Sequence, residues 1–135
     1  MKKITHRQTK QRKLILKELS KLKTHPTAEE IFLLVKKQQP SISLGTVYRN
    51  LNFLKKQNKI LELSLEKNFN RYDANIHKHY HFYCNKCKKI FDIEQLSILE
   101  KLKNELYNKI NFQVINYNIN FYGYCKKCNN SIKNN

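Results

Sequence analysis

The chain has 135 residues and a formal net charge of +17 at pH 7, with 27 lysines and arginines against 10 aspartates and glutamates. This length suits one ordinary domain or two small ones and excludes a large multidomain enzyme. No run of about 18 apolar residues is present to span a bilayer, and no apolar stretch of a signal peptide follows the basic start MKKITHRQTKQRK, so we expect a cytoplasmic protein with no membrane partner.

Two amphipathic helices are predicted near the N-terminus. The first, in RKLILKELSKL, has an apolar face at helical spacing formed by Ile15, Leu19 and Leu22. The second, in THPTAEEIFLLVKK, begins with a capping-box pattern in which Thr27 is followed three residues later by Glu30. Pro40 ends this helix. Its apolar residues repeat at i, i+3, i+4 and i+7, and they are Ala28, Ile31, Phe32 and Val35.

A third helix is predicted in SLGTVYRNLNFLKKQN, with Ser43 as a good N-cap. Its inward residues are Val47, Leu51 and Leu54. The candidate DNA contacts are on this helix, and they are Thr46, Tyr48, Arg49 and Asn52. Arginine can hydrogen-bond guanine with two N–H groups or hold a phosphate. The alternative for these residues is a plain solvated helix face.

A β-hairpin is predicted after the third helix, because ILELSLE alternates apolar and polar residues and NFNRYD can pair with it across a short polar turn. Three helices and a hairpin describe a winged helix-turn-helix, whose third helix enters the major groove of DNA. The charge of this part of the chain also favours DNA binding, since residues 1–73 carry 17 basic and 6 acidic side chains. Lysine enrichment from an AT-rich genome is the other explanation of this surplus.

The rest of the chain, residues 74–135, is predicted to be a small α/β dimerisation domain, which makes the fold class α+β with residues 1–73 as the DNA-binding domain. HYHFYC and KIFDIE are predicted strands flanking an NKCK turn, and SILEKLKNELYNKI is a predicted amphipathic helix. FQVINYNINFYGYC is predicted as a long strand ending at Gly123, and with the helix it suits a dimer contact. The tail NNSIKNN is low in complexity, and we expect it to fray.

Four cysteines form two C-x-x-C pairs, Cys84 with Cys87 and Cys125 with Cys128. In a reducing cytoplasm such pairs are typical of metal ligands rather than disulfides. Two intervening residues let both sulfurs of a pair face one tetrahedral Zn²⁺ ion at about 2.3 Å. Four thiolates leave no open coordination position, so we predict a structural zinc site that contributes on the order of 10 kcal/mol of coupled folding. A redox-active dithiol is the alternative.

A second metal site is predicted from the histidines near the first cysteine pair. His79 and His81 fall on one face of the predicted strand and Cys84 on the other, so the two ligand sets point in opposite directions. Asp73 and Asp92 are close enough in sequence to complete a mixed site. Ordinary surface residues are the alternative for each of the four.

Two other protein classes are alternatives: a zinc hydrolase or deaminase, in which C-x-x-C also appears, and a metal carrier without DNA affinity. A zinc deaminase needs H-x-E together with P-C-x-x-C, and neither occurs in this sequence, so we expect no enzyme activity. A metal carrier without DNA affinity is disfavoured by Tyr48 and Arg49 on the outward face of the third helix.

Six motifs follow one another in the order HPTAEEIF, SLGTVYRNL, RYD, HYHFYCNKC, KIFD and YGYCKKC, and they cover almost the whole chain. With these motifs the sequence resembles the ferric uptake regulator (Fur) superfamily of bacterial metal-responsive repressors, most closely its peroxide-stress regulators (PerR). The resemblance implies a homodimeric winged-helix repressor that binds a palindromic, AT-rich operator.

The resemblance also implies a regulatory site for Fe²⁺ or Mn²⁺ with three histidines and two aspartates. Residue by residue, these ligands are His25, Asp73, His79, His81 and Asp92. A site with ligands from both domains can set their relative orientation and thereby link metal binding to DNA affinity.

The peroxide-stress branch of the family is favoured by particular positions. Asp73 stands where iron-uptake regulators typically carry glutamate, HYH replaces an HHDH-like run, and Tyr124 replaces a histidine. In that branch, Fe(II) and hydrogen peroxide oxidise a ligand histidine to its 2-oxo form, which releases metal and DNA. By position, the oxidation-sensitive residues are His25 and His79. A regulator that senses only the concentration of iron or manganese is the alternative.

Overall fold

The computed structural model describes residues 2–64, 70–94 and 96–133, and its elements divide between two units, Met1–His77 and Lys78–Asn135. Their order confirms the α+β fold class, with three helices and a hairpin ahead of a small sheet domain. Within the described ranges, no helix has the length and apolar character needed to cross a membrane. The predicted functional boundary between residues 73 and 74 stays a prediction.

The first unit contains α1 (Lys2–Ser20), α2 (Ala28–Gln38) and α3 (Leu44–Lys56). The predicted capping box is confirmed at α2, where the Thr27 N–H donates to Glu30 at 2.8 Å and the Glu30 N–H donates to the Thr27 hydroxyl at 3.3 Å. Ser43 caps α3 by accepting a hydrogen bond from the Thr46 N–H at 3.1 Å. Both caps satisfy N–H groups that a helix leaves without intrahelical partners.

One apolar cluster holds the three helices together. Its members are Ile15, Leu19, Ala28, Ile31, Val35, Ile42, Val47, Leu51, Leu54, Ile60 and Tyr72, and Phe32 packs against it. The prediction that Leu22 belongs to the first helix is wrong, because α1 ends at Ser20. The Lys21 and Leu22 N–H groups donate to carbonyls three residues back, which closes the last turn tightly and leaves Leu22 half-buried beyond it.

The predicted hairpin is confirmed as two antiparallel strands, β1 (Leu61–Ser64) and β2 (Asn70–Asp73). Leu61 pairs with Asp73 and Ser64 with Asn70. The predicted turn between ILELSLE and NFNRYD lies within residues 65–69, which are outside the described residues. Three helices followed by this two-stranded sheet are the winged helix-turn-helix expected from the sequence.

The second unit contains a three-stranded sheet with β3 (Tyr80–Cys84) in the centre, β4 (Ile90–Ile93) antiparallel to it and β5 (Asn120–Gly123) parallel to it. Helix α4 (Ile98–Ile110) lies between β4 and β5 in the chain, as predicted, and α5 (Lys126–Lys133) follows β5. A parallel partner requires such a crossover connection, because a tight turn can join only antiparallel strands.

Two predictions for the C-terminal part are wrong. The predicted long strand is reduced to β5, which pairs with His81–Cys84 of β3. In this parallel register residues 112–118 lie beyond the start of β3 at Tyr80, where they have no strand to pair with. The tail was expected to fray, but residues 129–133 belong to α5, where the Asn129 N–H donates to the Cys125 carbonyl at 2.8 Å. Residues 134 and 135 of the tail lie outside the described residues.

Candidate metal centres and recognition helix

The four cysteines lie together in the second unit, and their Sγ atoms are all within 4.8 Å of one another. Cys84 ends β3, Cys87 lies in the following turn, Cys125 follows β5, and Cys128 is in α5. The parallel register, in which Cys84 pairs with Gly123, places the second C-x-x-C beside the first. The sheet therefore assembles the site from two distant parts of the sequence.

The thiol geometry fits a tetrahedral zinc ion. The Sγ atoms of Cys87 and Cys125 are 3.8 Å apart, and tetrahedral bonds of about 2.3 Å require sulfurs separated by about 3.8 Å. All four cysteines are free thiols. The donor set is one that zinc prefers, and Cys84, Cys87, Cys125 and Cys128 would hold the ion.

Two of these thiols have strongly shifted pKa values. A hydrogen bond from the Cys125 backbone N–H, 3.4 Å from the Cys84 sulfur, is the largest cause that lowers the pKa of Cys84 to about 6. Burial raises the pKa of Cys128 to about 12. The fold thus favours one thiolate in advance, whereas Cys128 must lose a proton on binding an ion, which makes zinc uptake dependent on pH.

A histidine and an aspartate of the predicted regulatory set lie together in the first unit. The Nε2 atom of His25 is 3.5 Å from Oδ2 of Asp73, and both residues are buried. Hydrogen bonds fasten the loop before α2 to β2, since Arg71 donates to the His25 carbonyl at 2.9 Å and the Tyr72 N–H donates to the Pro26 carbonyl at 2.9 Å.

This loop also holds His25 at a φ of 52°, in the left-handed region that side-chain-bearing residues seldom occupy. Such a conformation costs on the order of 1 kcal/mol and persists only where the surroundings fix it. The other oxygen of Asp73, Oδ1, accepts a hydrogen bond from the Asn75 N–H at 2.8 Å. The first unit therefore presents a fixed imidazole and a fixed carboxylate side by side.

The second unit brings the remaining three predicted ligands together. His81 and Asp92 are cross-strand partners on β3 and β4, and His79 immediately precedes β3. Oδ1 of Asp92 is 3.3 Å from Nε2 of His79 and 3.5 Å from Nε2 of His81. The two imidazole rings are 4.5 Å apart between centroids. Two nitrogens and one carboxylate oxygen converge, which suits Fe²⁺ or Mn²⁺ better than an all-thiolate site does.

The predicted DNA contacts lie on α3 with unequal exposure. Tyr48, Arg49 and Asn52 are exposed, whereas Thr46 is half-buried. The Thr46 hydroxyl accepts a hydrogen bond from Nη2 of Arg49 at 2.9 Å, so it positions the arginine within the helix. Contact of these residues with DNA stays a prediction.

Two residues with clear positioning contacts were missed by the sequence reasoning, Arg71 and Glu29. Arg71 fixes the His25 loop, and Glu29 accepts a hydrogen bond from the Tyr48 hydroxyl at 2.7 Å. The motif RYD included Arg71 but gave no partner for it. The capping-box spacing assigned Glu30 to the helix cap, but nothing in the sequence indicated that Glu29 would reach α3.

Comparison with known proteins gives consistent matches over most of the chain. Residues 3–122 match the sequence model of the Ferric uptake regulator family. The peroxide-responsive repressor PerR of Staphylococcus aureus is 38% identical over 122 residues, which are 89% of this chain and 80% of that protein.

Two solved structures are similar in both sequence and fold. The ferric uptake regulator Fur of Helicobacter pylori has a TM-score of 0.80 and 31% identity, with 89% of this chain and 80% of that chain covered. The peroxide stress regulator of Campylobacter jejuni has a TM-score of 0.77 and 36% identity, with 94% of this chain and 95% of that chain covered.

Proposed function

The chain belongs to the ferric uptake regulator family, whose members are metal-responsive repressors rather than enzymes, and from this membership we propose that it senses hydrogen peroxide and represses transcription until it is oxidised. The metal-dependent part of the proposal is carried by the convergence of His79, His81 and Asp92 in one unit and the pairing of His25 with Asp73 in the other, and the peroxide part is supported by the 38% identity to the peroxide-responsive repressor of Staphylococcus aureus. These are the ligands that the resemblance to peroxide-stress regulators implied.

In the proposed regulatory site, all five of these side chains would hold one Fe²⁺ or Mn²⁺ ion. When bound, iron would supply a redox centre, and the imidazoles and carboxylates would hold it in place. In the peroxide reaction, one oxygen atom of hydrogen peroxide is transferred to a ring carbon of a ligand histidine and the other leaves in water. His25 and His79 are the proposed targets. The 2-oxo ring binds metal poorly, so the ligand set is lost.

The proposed partner is a palindromic, AT-rich operator in the cytoplasm. Its support is the positive charge of the first unit and the exposed Tyr48, Arg49 and Asn52 on α3. Thr46 contributes by holding Arg49. Two-fold symmetry of the operator would match two-fold symmetry of a protein dimer.

The proposed homodimer uses the apolar surface of the second unit. Ile98, Tyr107 and Ile110 of α4 are 64%, 56% and 49% exposed, and Phe112 and Ile115 beyond it are 67% and 91% exposed. Several large apolar side chains exposed to water along one segment of the chain are unfavourable in a monomer and favour a protein interface there. The proposed structural Zn²⁺ at the four cysteines would stabilise the unit that carries this surface.

A sensor of iron or manganese concentration is the second candidate function. It is favoured by the structural similarity to the ferric uptake regulator of Helicobacter pylori, described as a protein with three functional metal binding sites. The two candidates share the metal site and the DNA contacts. They differ in whether a ligand histidine is oxidised.

The deciding experiment measures DNA binding without oxygen, using protein loaded with Fe(II) or with Mn(II) and a palindromic AT-rich duplex. Each sample is then treated with micromolar peroxide and digested for mass spectrometry of the His25 and His79 peptides. Loss of binding in the Fe(II) sample alone, with a gain of one oxygen on either histidine, supports the peroxide sensor. Binding that survives with unmodified histidines rejects it in favour of the concentration sensor.

A His79→Ala variant provides the shared control. It removes a proposed ligand under both candidates, so its DNA binding should no longer depend on Fe(II) or Mn(II). If this variant keeps the metal dependence of the unmodified protein, both candidate functions are contradicted.

A further inference from the structure

The exposed tyrosine of the recognition helix is tied to the helix before it. The Tyr48 hydroxyl donates a hydrogen bond to Oε1 of Glu29 at 2.7 Å, which joins α3 to the first turn of α2. Both side chains lie at the surface of the first unit, and Tyr48 is 39% exposed. A short bond between two exposed side chains fixes a ring that would otherwise be free to sample several rotamers.

The carboxylate that accepts this bond is itself held. The pKa of Glu29 is lowered, chiefly by the hydrogen bond from Tyr48 and further by bonds from its own backbone N–H and from the Thr27 hydroxyl. Glu29 is therefore ionised at neutral pH, and it lies in the first turn of α2, where a negative charge is favourable. The same hydrogen bond raises the pKa of Tyr48, so the phenol remains a protonated donor.

We propose that Glu29 is a positioning residue for DNA recognition, which holds the Tyr48 ring in the orientation that contacts base pairs. The inference rests on the proposed DNA binding and adds to it a residue outside the recognition helix. A side chain fixed before binding loses less conformational entropy in the complex. The contribution of Glu29 should therefore appear as selectivity for the base pairs that Tyr48 contacts.

Four variants separate the hydrogen bond from the charge. Glu29→Ala removes the acceptor, Glu29→Gln keeps an acceptor oxygen without the charge, Tyr48→Phe keeps the ring without the hydroxyl, and Glu29→Ala with Tyr48→Phe completes a double-mutant cycle. Glu94→Gln is the matched control, since it changes the net charge equally from an exposed position in the second unit. Circular dichroism and zinc content establish that each variant is folded.

The assay uses the full chain loaded with Mn(II) and a duplex that this protein enriches from a random pool. Selectivity is the ratio of the dissociation constant for a shuffled duplex to that for the enriched one, so a charge effect shared by both duplexes cancels. We expect Glu29→Ala and Tyr48→Phe each to lower this ratio roughly threefold to tenfold, and the double variant to lower it no further. The selectivity ratio of Glu29→Gln should stay within about twofold of that of the unmodified protein, because the acceptor oxygen is kept.

Two further readouts distinguish positioning from a general loss of structure. When single base pairs of the enriched duplex are substituted, Glu29→Ala should discriminate less than the unmodified protein at the same positions as Tyr48→Ala does. A destabilised protein would instead bind more weakly whichever base pair is substituted. Absorbance titration isolates the Tyr48 phenol when the curve of the matching protein with Tyr48→Phe is subtracted. The pKa of Tyr48 obtained in this way should be lower in Glu29→Ala than in the unmodified protein.

The outcomes separate this inference from the proposed function. If the unmodified protein enriches no duplex, DNA binding itself is contradicted. If it enriches one but Glu29→Ala matches Glu94→Gln in selectivity and in base-pair profile, Glu29 has no positioning role. Additive losses in the double variant would likewise overturn the inference, because the two side chains would then act independently.

Discussion

The two units of the molecule differ in how much apolar side-chain volume they bury. The first unit contains a continuous apolar cluster of 11 residues. The buried residues of the second unit include two thiols, Cys84 and Cys128, and the imidazole of His81, while many of its large apolar side chains remain exposed. The first unit is therefore stabilised chiefly by its own hydrophobic core. Among its described residues the second unit has no core of that size, so we expect its stability to depend on metal ligation and on covering its apolar surface.

Loss of the proposed zinc site should have the largest effect, and only on the second unit. Cys84→Ser deletes one thiolate, and the coupled folding energy of such a site is on the order of 10 kcal/mol, more than this small sheet can replace. We expect amides of β3 and β4 to lose protection from hydrogen exchange while those of α2 keep it. Zinc content and exchange mass spectrometry measure this.

The control for this experiment is Asn85→Ala, which changes an exposed residue in the same turn and keeps all four thiols. It should retain zinc and the protection of β3. A zinc-free Cys84→Ser protein whose β3 amides stay protected would contradict the view that ligation stabilises the second unit.

Truncation in the apolar cluster should have the next largest effect, and only on the first unit. Leu51 is fully buried, so Leu51→Ala leaves a cavity and should destabilise this unit by about 2–5 kcal/mol. Leu33→Ala removes the same atoms from a side chain that is 61% exposed on α2, and it should change stability by less than about 0.5 kcal/mol. Hydrogen exchange in increasing urea measures the free energy of unfolding of both variants. Equal losses of stability in Leu51→Ala and Leu33→Ala would refute the view that the apolar cluster stabilises the first unit.

A charge in the exposed apolar surface should break the proposed dimer without unfolding either unit. Ile115 is 91% exposed, and Ile115→Glu should weaken self-association by about 2 kcal/mol, roughly 30-fold in the dissociation constant. Sedimentation equilibrium measures this, with Ile76→Glu as the control because Ile76 is 51% exposed in the first unit. Unchanged association of the Ile115 variant would exclude this surface as the interface.

The sequence predicted the first unit well because its signals are local. Helix caps at Thr27 and Ser43, apolar spacing along α2 and α3, and alternation in β1 each depend on residues a few positions apart. The end of α1 was misplaced by two residues because helical spacing continues to Leu22, whereas backbone hydrogen bonds close the turn after Ser20.

The second unit was predicted less completely because its elements depend on distant partners. Alternation in residues 112–123 was sufficient to predict a strand, but strand length is set by the start of β3 at Tyr80. The α5 helix was missed because NNSIKNN has a disordered composition, although its first residues continue a helix that contains Cys128. In the sites, ligand types and spacing were predictable, while Arg71 and Glu29 act through contacts that no sequence spacing shows.

A buried carboxylate of the first unit should give the smallest effect, a loss of stability at low pH. Glu18 accepts hydrogen bonds from Lys21 at 2.7 Å and Gln38 at 2.8 Å, and the first of these is the main cause of its lowered pKa. Because the folded pKa lies below the unfolded one, the stabilisation is complete above the unfolded value and is lost as pH falls through the folded value. At pH 7 the unmodified protein should therefore be more stable than Glu18→Gln by about 1 kcal/mol. Urea-dependent hydrogen exchange of α2 amides at pH 7 and pH 4 measures this difference. A difference that stays constant or grows as pH falls would show that the ionised carboxylate of Glu18 does not stabilise the core.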